Sequence, residues 1–267
     1  MLMTIIQDIT LGQYYPENSA IHRLDPRSKL VALLCMMMLL VLTIKLSVYL
    51  ILTAVLVLIV SLAKLPFALV FKNLRPFLWL FLITFLLNLA YGQGKIIWMV
   101  PVVHWHITQE ALQRAGMYTF RIGLMIVFAA VFTLTTSPMD ITDGLARLLS
   151  PLKKLKVPVQ EFALMMTIAI RFIPLLLEEA DRIRKAQIAR GARFDGNIIQ
   201  RIKSLIPLII PLFISAFRKA DDLALAMEAR CYKIGAERTN FNQLKLKIAD
   251  YSILIGMIFL SIFSFVV

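Results

Sequence analysis

The sequence predicts an all-α, polytopic membrane protein with a helical cytoplasmic region that contains two crossing helices. Three observations lead there. Sixty per cent of the 267 residues are hydrophobic and the mean hydropathy is +0.79, well beyond an ordinary soluble domain. The apolar residues gather in runs near the length of about 20 residues that a spanning helix needs. A phrase then recurs in the polar remainder, as ADRIRKAQIARGA at 180–192 and ADDLALAMEARCY at 220–232.

The elements follow in order. Residues 1–29 put acidic and polar groups ahead of any long apolar run, unlike a cleavable signal peptide, so the first span serves as the insertion signal. Apolar runs at 30–44 and 46–63 are separated only by Lys45, which reads as a tight hairpin or, alternatively, as one kinked element; the hairpin is preferred. Spans at 76–91 and 116–136 follow, and 248–267 closes the chain. Two further stretches, 157–177 and 204–217, are interrupted by Glu161, Arg171 and Pro174 and by Pro207 and Pro211, and are expected as helices packed against protein and partly immersed. The organisation is therefore 1–136 with about four spans, 137–247 as a cytoplasmic, partly immersed domain that carries the two Ala-Arg motif helices, and 248–267 as a last span.

Charge orients the chain. Residues 137–250 hold about two thirds of the 29 basic residues and three quarters of the 16 acidic ones, which marks that stretch as cytoplasmic. Counting back through four crossings puts the N-terminus, with Arg23, Arg27 and Lys29, on the same side, beside the loop of Lys64, Lys72 and Arg75. The far side receives Lys45 and the 92–115 loop, whose Trp98 and Trp105 suit a membrane interface. Arg121 stands apart, early in the fourth span where charge is costly; it snorkels outward, lies on an interfacial turn, or forms a buried ion pair. The net charge of +13 reads as a positive-inside face, with no nucleic acid partner, because basic and acidic residues are mixed and bounded by spans. Cys35 and Cys231 suggest neither a disulfide framework nor a metal site.

Within the repeat, Ala180, Asp181, Ala186, Ala189 and Arg190 recur as Ala220, Asp221, Ala226, Ala229 and Arg230. Glu178 with Arg182 and Asp181 with Lys185 stand at i, i+4, acid first, as on an exposed helix. Gly191 follows Arg190 as a helix-ending residue should. Before the second tip, Ala216, Ala220 and Ala224 form a small-residue row that admits close crossing by another helix. Either arginine alone is accounted for by the helix dipole, which favours a cation at a C-terminus by about 0.3–1 kcal/mol. The duplication points further, to two similar sockets on a partner that each take a planar guanidinium fork.

These residues resemble the transmembrane T component of energy-coupling factor (ECF) transporters, prokaryotic micronutrient importers. The resemblance spans essentially the whole chain and is carried by TTSPMD at 135–140, RFIPLLLEEADRI at 171–183, AQIARGA at 186–192 and AMEARCY at 226–232. It implies that Arg190 and Arg230, with Ala189, Gly191, Ala229 and Cys231 around them, meet carboxylates on two ABC-type ATPase subunits. It also implies a substrate-binding S component in the membrane, which sets the vitamin or metal transported. The second motif reads Ala-Arg-Cys, so the glycine of the first is not repeated.

Other chemistry finds less support. GARFDGNI at 191–198 has Asn197 and Ile198 where a phosphate loop needs Lys and Ser or Thr, so ATP binding by this chain is not expected, and no cofactor is implied. His104 and His106 lack a completing ligand nearby and read as interfacial. Methionines such as Met36, Met37, Met38, Met165 and Met166 suit adaptable packing. No Ser, His and Asp set suggests a nucleophile. The expected function is a non-catalytic scaffold that couples ATPase motion to movement of the S component. The alternative, a self-sufficient secondary transporter or channel, should hold ionisable residues at midplane, and the first four spans are nearly free of them.

Overall fold

The first helix begins at an Asp-Pro step. In the computed structural model, which describes residues 14–43, 45–90, 96–100, 105–192, 197–233, 235 and 247–266, Asp25 caps α1 (Pro26–Leu42) by accepting from Arg27 N at 3.0 Å. Pro26 supplies a helical φ at a position whose N–H would be unpaired anyway. Helix α2 (Leu46–Leu62) follows a break at 43–45. Leu33 and Val55, equally distant from that break, line one cavity of about 390 Å3, so α1 and α2 run antiparallel as a hairpin.

Next come a short α3 (Phe67–Lys72), a 3-10 turn at Arg75–Phe77 and α4 (Leu78–Ala90). The expected far-side loop contains an antiparallel pair of strands, β1 (Ile96–Val100) and β2 (Trp105–Thr108), in register Met99 with His106. His104 lies outside the described residues. Helix α5 (Gln109–Thr135) starts before the apolar stretch it was read from. Its extra turns are held by Thr108, whose hydroxyl caps Ala111 N at 3.2 Å, and by the Glu110–Arg114 pair at 3.3 Å, while Ala111 and Ala115 are fully buried.

The TTSPMD stretch is a helix start. Ser137 Oγ accepts from Asp140 N at 3.1 Å and donates to the Asp140 carboxylate at 2.6 Å, an N-cap that opens α6 (Pro138–Leu148). Gly144 lets α6 lie on Pro26, since a Cβ there would stand 3.1 Å from Pro26 Cβ. A 3-10 turn (Ser150–Leu155) leads to α7 (Val159–Ala189), then α8 (Ile198–Ala229) and α9 (Ile248–Val266). Glu161, Arg171 and Pro174 do not interrupt α7, nor Pro207 and Pro211 α8. Among the described residues three segments are long and apolar enough to cross a membrane, Phe67–Ala90, Gln109–Thr135 and Val159–Ala189, the last of which includes the stretch expected as partly immersed; α2 and Ile248–Ser264 are shorter apolar helices.

The chain divides into two compact units, one holding Ala146–Asn242 and the other Gly12–Leu145 with Gln243–Val267. In the second unit the core is Leu40, Val48, Tyr49, Leu52, Phe128, Val131 and Met257, from α1, α2, α5 and α9. Lipid is as apolar as leucine, so these contacts supply close packing rather than escape from water. Outward faces stay apolar, with Leu78 and Trp79 of α4 61% and 70% exposed.

One end of that bundle is closed by a polar knot. Asp250, fully buried, accepts from Asp25 N at 2.9 Å, Ser28 Oγ at 2.7 Å and Lys247 N at 2.8 Å, serving the N-termini of α1 and α9 together. Lys29 Nζ donates to Thr135 O at 2.9 Å and His22 O at 3.3 Å, tying α1 to the end of α5. The DPRSK run carries a helix-start signature in sequence, but its partner Asp250 lies too far along the chain for any local pattern to reveal it.

Candidate functional site

The repeat forms the ends of two helices. Arg190 is the C-cap of α7, and Arg230 stands at the same position after Ala229, the last residue of α8. At the first tip Gly191 N donates to Ile188 O at 2.9 Å and Ala192 N to Gln187 O at 2.9 Å. At the second, Cys231 N donates to Glu228 O at 2.8 Å and Tyr232 N to Met227 O at 3.0 Å. Each is a Schellman ending, whose 6→1 and 5→2 bonds require a left-handed residue after the cap. Gly191 has φ +87° and Cys231 φ +57°. The missing glycine therefore leaves the geometry unchanged: Cys231 adopts the conformation that Gly191 adopts freely.

The cap places both arginines at the negative end of a helix dipole and leaves the side chains in solvent. Ala189 and Ala229 are likewise exposed, so each guanidinium rises from a small, open shoulder. Among the described residues no carboxylate lies within ion-pair distance of Arg190 or Arg230.

Helices α7 and α8 pack antiparallel. Lys219 Nζ meets the Glu179 carboxylate at 3.1 Å, and nearer the first tip Gln187 Nε2 stands 3.5 Å from Pro207 O. That carbonyl lacks its helical donor because Pro211 has no N–H, and the Gln187 amide reaches it at the outer limit of a hydrogen bond. Asp181 and Lys185 pair at 2.6 Å as their spacing predicts, whereas Arg182 approaches Glu179 at 4.0 Å rather than Glu178. Glu179 thus faces the junction and gathers two cations.

On α8 the half-buried residues Ser204, Leu208, Leu212, Ala216, Lys219, Leu223 and Met227 form one helical stripe, which carries the Lys219 contact to α7. Ala216 belongs to it. Ala220 and Ala224 lie just off it and are exposed. The small-residue row therefore skirts the α7–α8 contact, and two of its three members are open to another body. Because the pair is antiparallel, the tips face apart: at 1.5 Å per residue the 32 residues of α8 carry the chain about 48 Å before Arg230.

The sequence singled out both arginines, which stand at the two helix ends, and did not single out Gln187, Glu179 or Lys219, which join the two helices. The signal for Gln187 was available, as Pro211 must orphan a carbonyl one turn back. In GARFDGNI, residues 193–196 lie outside the described residues.

Comparison with known proteins supplies the last observations. The family model for CbiQ, cobalt transport protein, matches residues 17–241. The chain is 46% identical over 263 residues to the energy-coupling factor transporter transmembrane protein EcfT of Acidaminococcus fermentans, covering 97% of this chain and 96% of that one. It is 46% identical over 242 residues to the protein of the same name from Ruminiclostridium cellulolyticum, covering 90% of each. For that of Bacillus subtilis the identity is 40% over 263 residues, covering 98% of each.

Proposed function

The chain belongs to the CbiQ cobalt transport protein family and is the transmembrane T component of an ECF transporter; from that premise we propose that Arg190 and Arg230 are the two points at which ATPase subunits grip it. The observation that carries this reading is the common Schellman ending of the two tips, with arginine at the cap and a left-handed residue after it. Two tips of one geometry suit two sockets of one geometry, as two related ABC-type ATPases provide. Each guanidinium binds a socket carboxylate through two parallel N–H···O bonds, which fix direction as well as distance.

ATP is bound and hydrolysed by those partners, and this chain performs no chemistry. ATP binding brings the ATPases together and displaces the two tips. Because the tips stand at opposite ends of α7 and α8, the displacement acts on the junction held by Glu179–Lys219 and by Gln187 against Pro207. Rotation there moves the faces that the helices offer to a membrane-embedded S component. Ala220 and Ala224, with the exposed Phe213, Phe217 and Leu225, give that partner an apolar, close-fitting surface. Coupling requires that the partners hold the junction differently in their ATP-bound and nucleotide-free states.

In this reading the N-terminus and residues 137–247 are cytoplasmic, residues 1–136 supply the N-terminal spans and 248–267 the last one. A self-sufficient transporter is not favoured, because the ionisable residues gather in the coupling region rather than at midspan. The test is co-purification from native membranes. Arg190→Ala with Arg230→Ala should lose the ATPases and uptake while the chain still inserts, and Lys at both positions should rescue poorly because the fork is lost. An intact complex with normal uptake in the double Ala variant overturns the assignment.

A further inference from the structure

The charge that the sequence places inside the fourth span has a structural role and an unused remainder. Arg121 Nη2 donates to Val41 O at 2.6 Å. Helix α1 ends at Leu42, so Val41 O is one of its last carbonyls, which have no donor within the helix. Arg121 caps that end and sets a cation against the helix dipole.

A guanidinium has five N–H donors. Among the described residues, Val41 O is its only hydrogen-bond acceptor, and no carboxylate lies within ion-pair distance. The remaining donors border an open recess of about 340 Å3 between α4 and α5, lined by Thr84, Asn88, Tyr118, Arg121, Ile122 and Met125. Thr84 spends its hydroxyl on Leu80 O and Asn88 one N–H on Thr84 O, both at 2.8 Å. The second Asn88 N–H and the Tyr118 hydroxyl have no protein partner among the described residues. Four polar side chains thus converge on a recess within an otherwise apolar wall, and their sum is one uncompensated positive charge with free donors.

The position says what compensates it. Val41 lies one turn before Lys45, the exposed cation at the turn between α1 and α2, so the recess sits near a membrane surface rather than at midplane. The rest of its lining, Ile122 and Met125, is apolar. A ligand that fits must bring negative charge and acceptor oxygens to Arg121, and hydrocarbon to the rim. We propose that this recess binds the phosphodiester of an anionic phospholipid, with Arg121 as counter-charge, Tyr118 and Asn88 as donors, and the acyl chains along Ile122 and Met125. A charge within a span ordinarily finds a partner; here the bilayer supplies it.

The experiment uses the intact complex purified in mild detergent and reads lipid retention by native mass spectrometry. It is titrated in turn with phosphatidylglycerol, phosphatidylcholine and inorganic phosphate. Wild type should retain one phosphatidylglycerol at least tenfold more strongly than phosphatidylcholine. Arg121→Gln should abolish that preference. Because that change also removes the cap on α1, the deciding variant is Tyr118→Phe with Asn88→Leu, which leaves Arg121 on Val41 O. It should keep wild-type thermal stability and lose severalfold in phosphatidylglycerol retention. Unchanged retention in that variant, equal retention of the two lipids by wild type, or inorganic phosphate competing as well as phosphatidylglycerol each overturns the proposal.

Discussion

Gly191 and Cys231 hold the same left-handed position at the ends of two different helices, and only one of them can do so without strain. A side chain in that region crowds the following carbonyl by roughly 1–2 kcal/mol. Cys231→Gly should therefore stabilise the second tip by about 1 kcal/mol and leave uptake intact. Gly191→Val should cost at least as much at the first tip and weaken ATPase attachment, because a β-branched residue resists positive φ more than cysteine does. Thermal unfolding of the purified complex, with ATPase retention as the second readout, checks both. A loss of uptake in Cys231→Gly shows that the thiol itself matters.

Asp250 gives a second prediction, on the membrane bundle. Its carboxylate receives Asp25 N, Ser28 Oγ and Lys247 N in a fully buried setting, so truncation leaves three donors without an acceptor. Asp250→Ala should destabilise the bundle by on the order of 3 kcal/mol, and Asp250→Asn by about 1 kcal/mol, since the amide oxygen keeps part of the set. Detergent melting curves separate the two. Equal melting temperatures for Asp250→Ala and wild type exclude the knot as a structural anchor.

How far the sequence reveals such features depends on the range of the interaction. Hydrophobic runs, the Ala-Arg repeat and the i, i+4 pair Asp181–Lys185 are local, and each stands close to its expected place. The early start of α5 was also local in cause, through Thr108 and Glu110, yet the apolar pattern used to set its boundary begins later. Pro174, Pro207 and Pro211 were read as interruptions, but a long helix packed along a neighbour absorbs the loss of one hydrogen bond at each. The Asp25–Asp250 contact joins residues more than two hundred positions apart, and the left-handed Cys231 defies its residue type. Neither leaves a mark that periodicity or spacing can show.

His22 yields a pH prediction outside the spans. Burial holds its imidazole below the ordinary value of 6.5, with the Tyr15 carbonyl opposing that shift and Lys29 reinforcing it. A carbonyl can only accept, so Nε2 carries the proton toward Tyr15 O at 3.0 Å and Nδ1 takes the Ser19 hydroxyl at 2.7 Å. Protonation removes the second acceptor. The folded pKa lies below the unfolded one, so the unfolded chain binds more protons between them. Stability is then full above pH 6.5 and falls as the pH drops toward the folded value. The local loss should be about 1 kcal/mol, the worth of one hydrogen bond. The amide protection factor at Tyr15, whose N–H is held by Leu134 O at 2.9 Å, taken against the unfolded-peptide exchange rate at each pH, should fall on acidification in wild type and stay level in His22→Gln.

The lever makes the last prediction, through two alanines one turn apart. Ala216 lies on the half-buried stripe of α8, whereas Ala220 is exposed beside it. Leucine at 216 overfills the junction and should destabilise the α7–α8 pair by about 1–3 kcal/mol, opening it whether or not partners are bound. Leucine at 220 leaves that junction intact and enlarges the face proposed for the S component. Ala216→Leu should therefore lower the melting temperature of the isolated chain. Ala220→Leu should melt like wild type, yet reduce substrate moved per ATP hydrolysed in reconstituted vesicles. The ratio of uptake to hydrolysis separates the effects, because a loss of ATPase attachment lowers both while a loosened grip on the S component lowers uptake alone. If Ala220→Leu transports with the wild-type ratio, the exposed alanines carry no coupling contact, and the force must pass to the membrane partner through another face of α8.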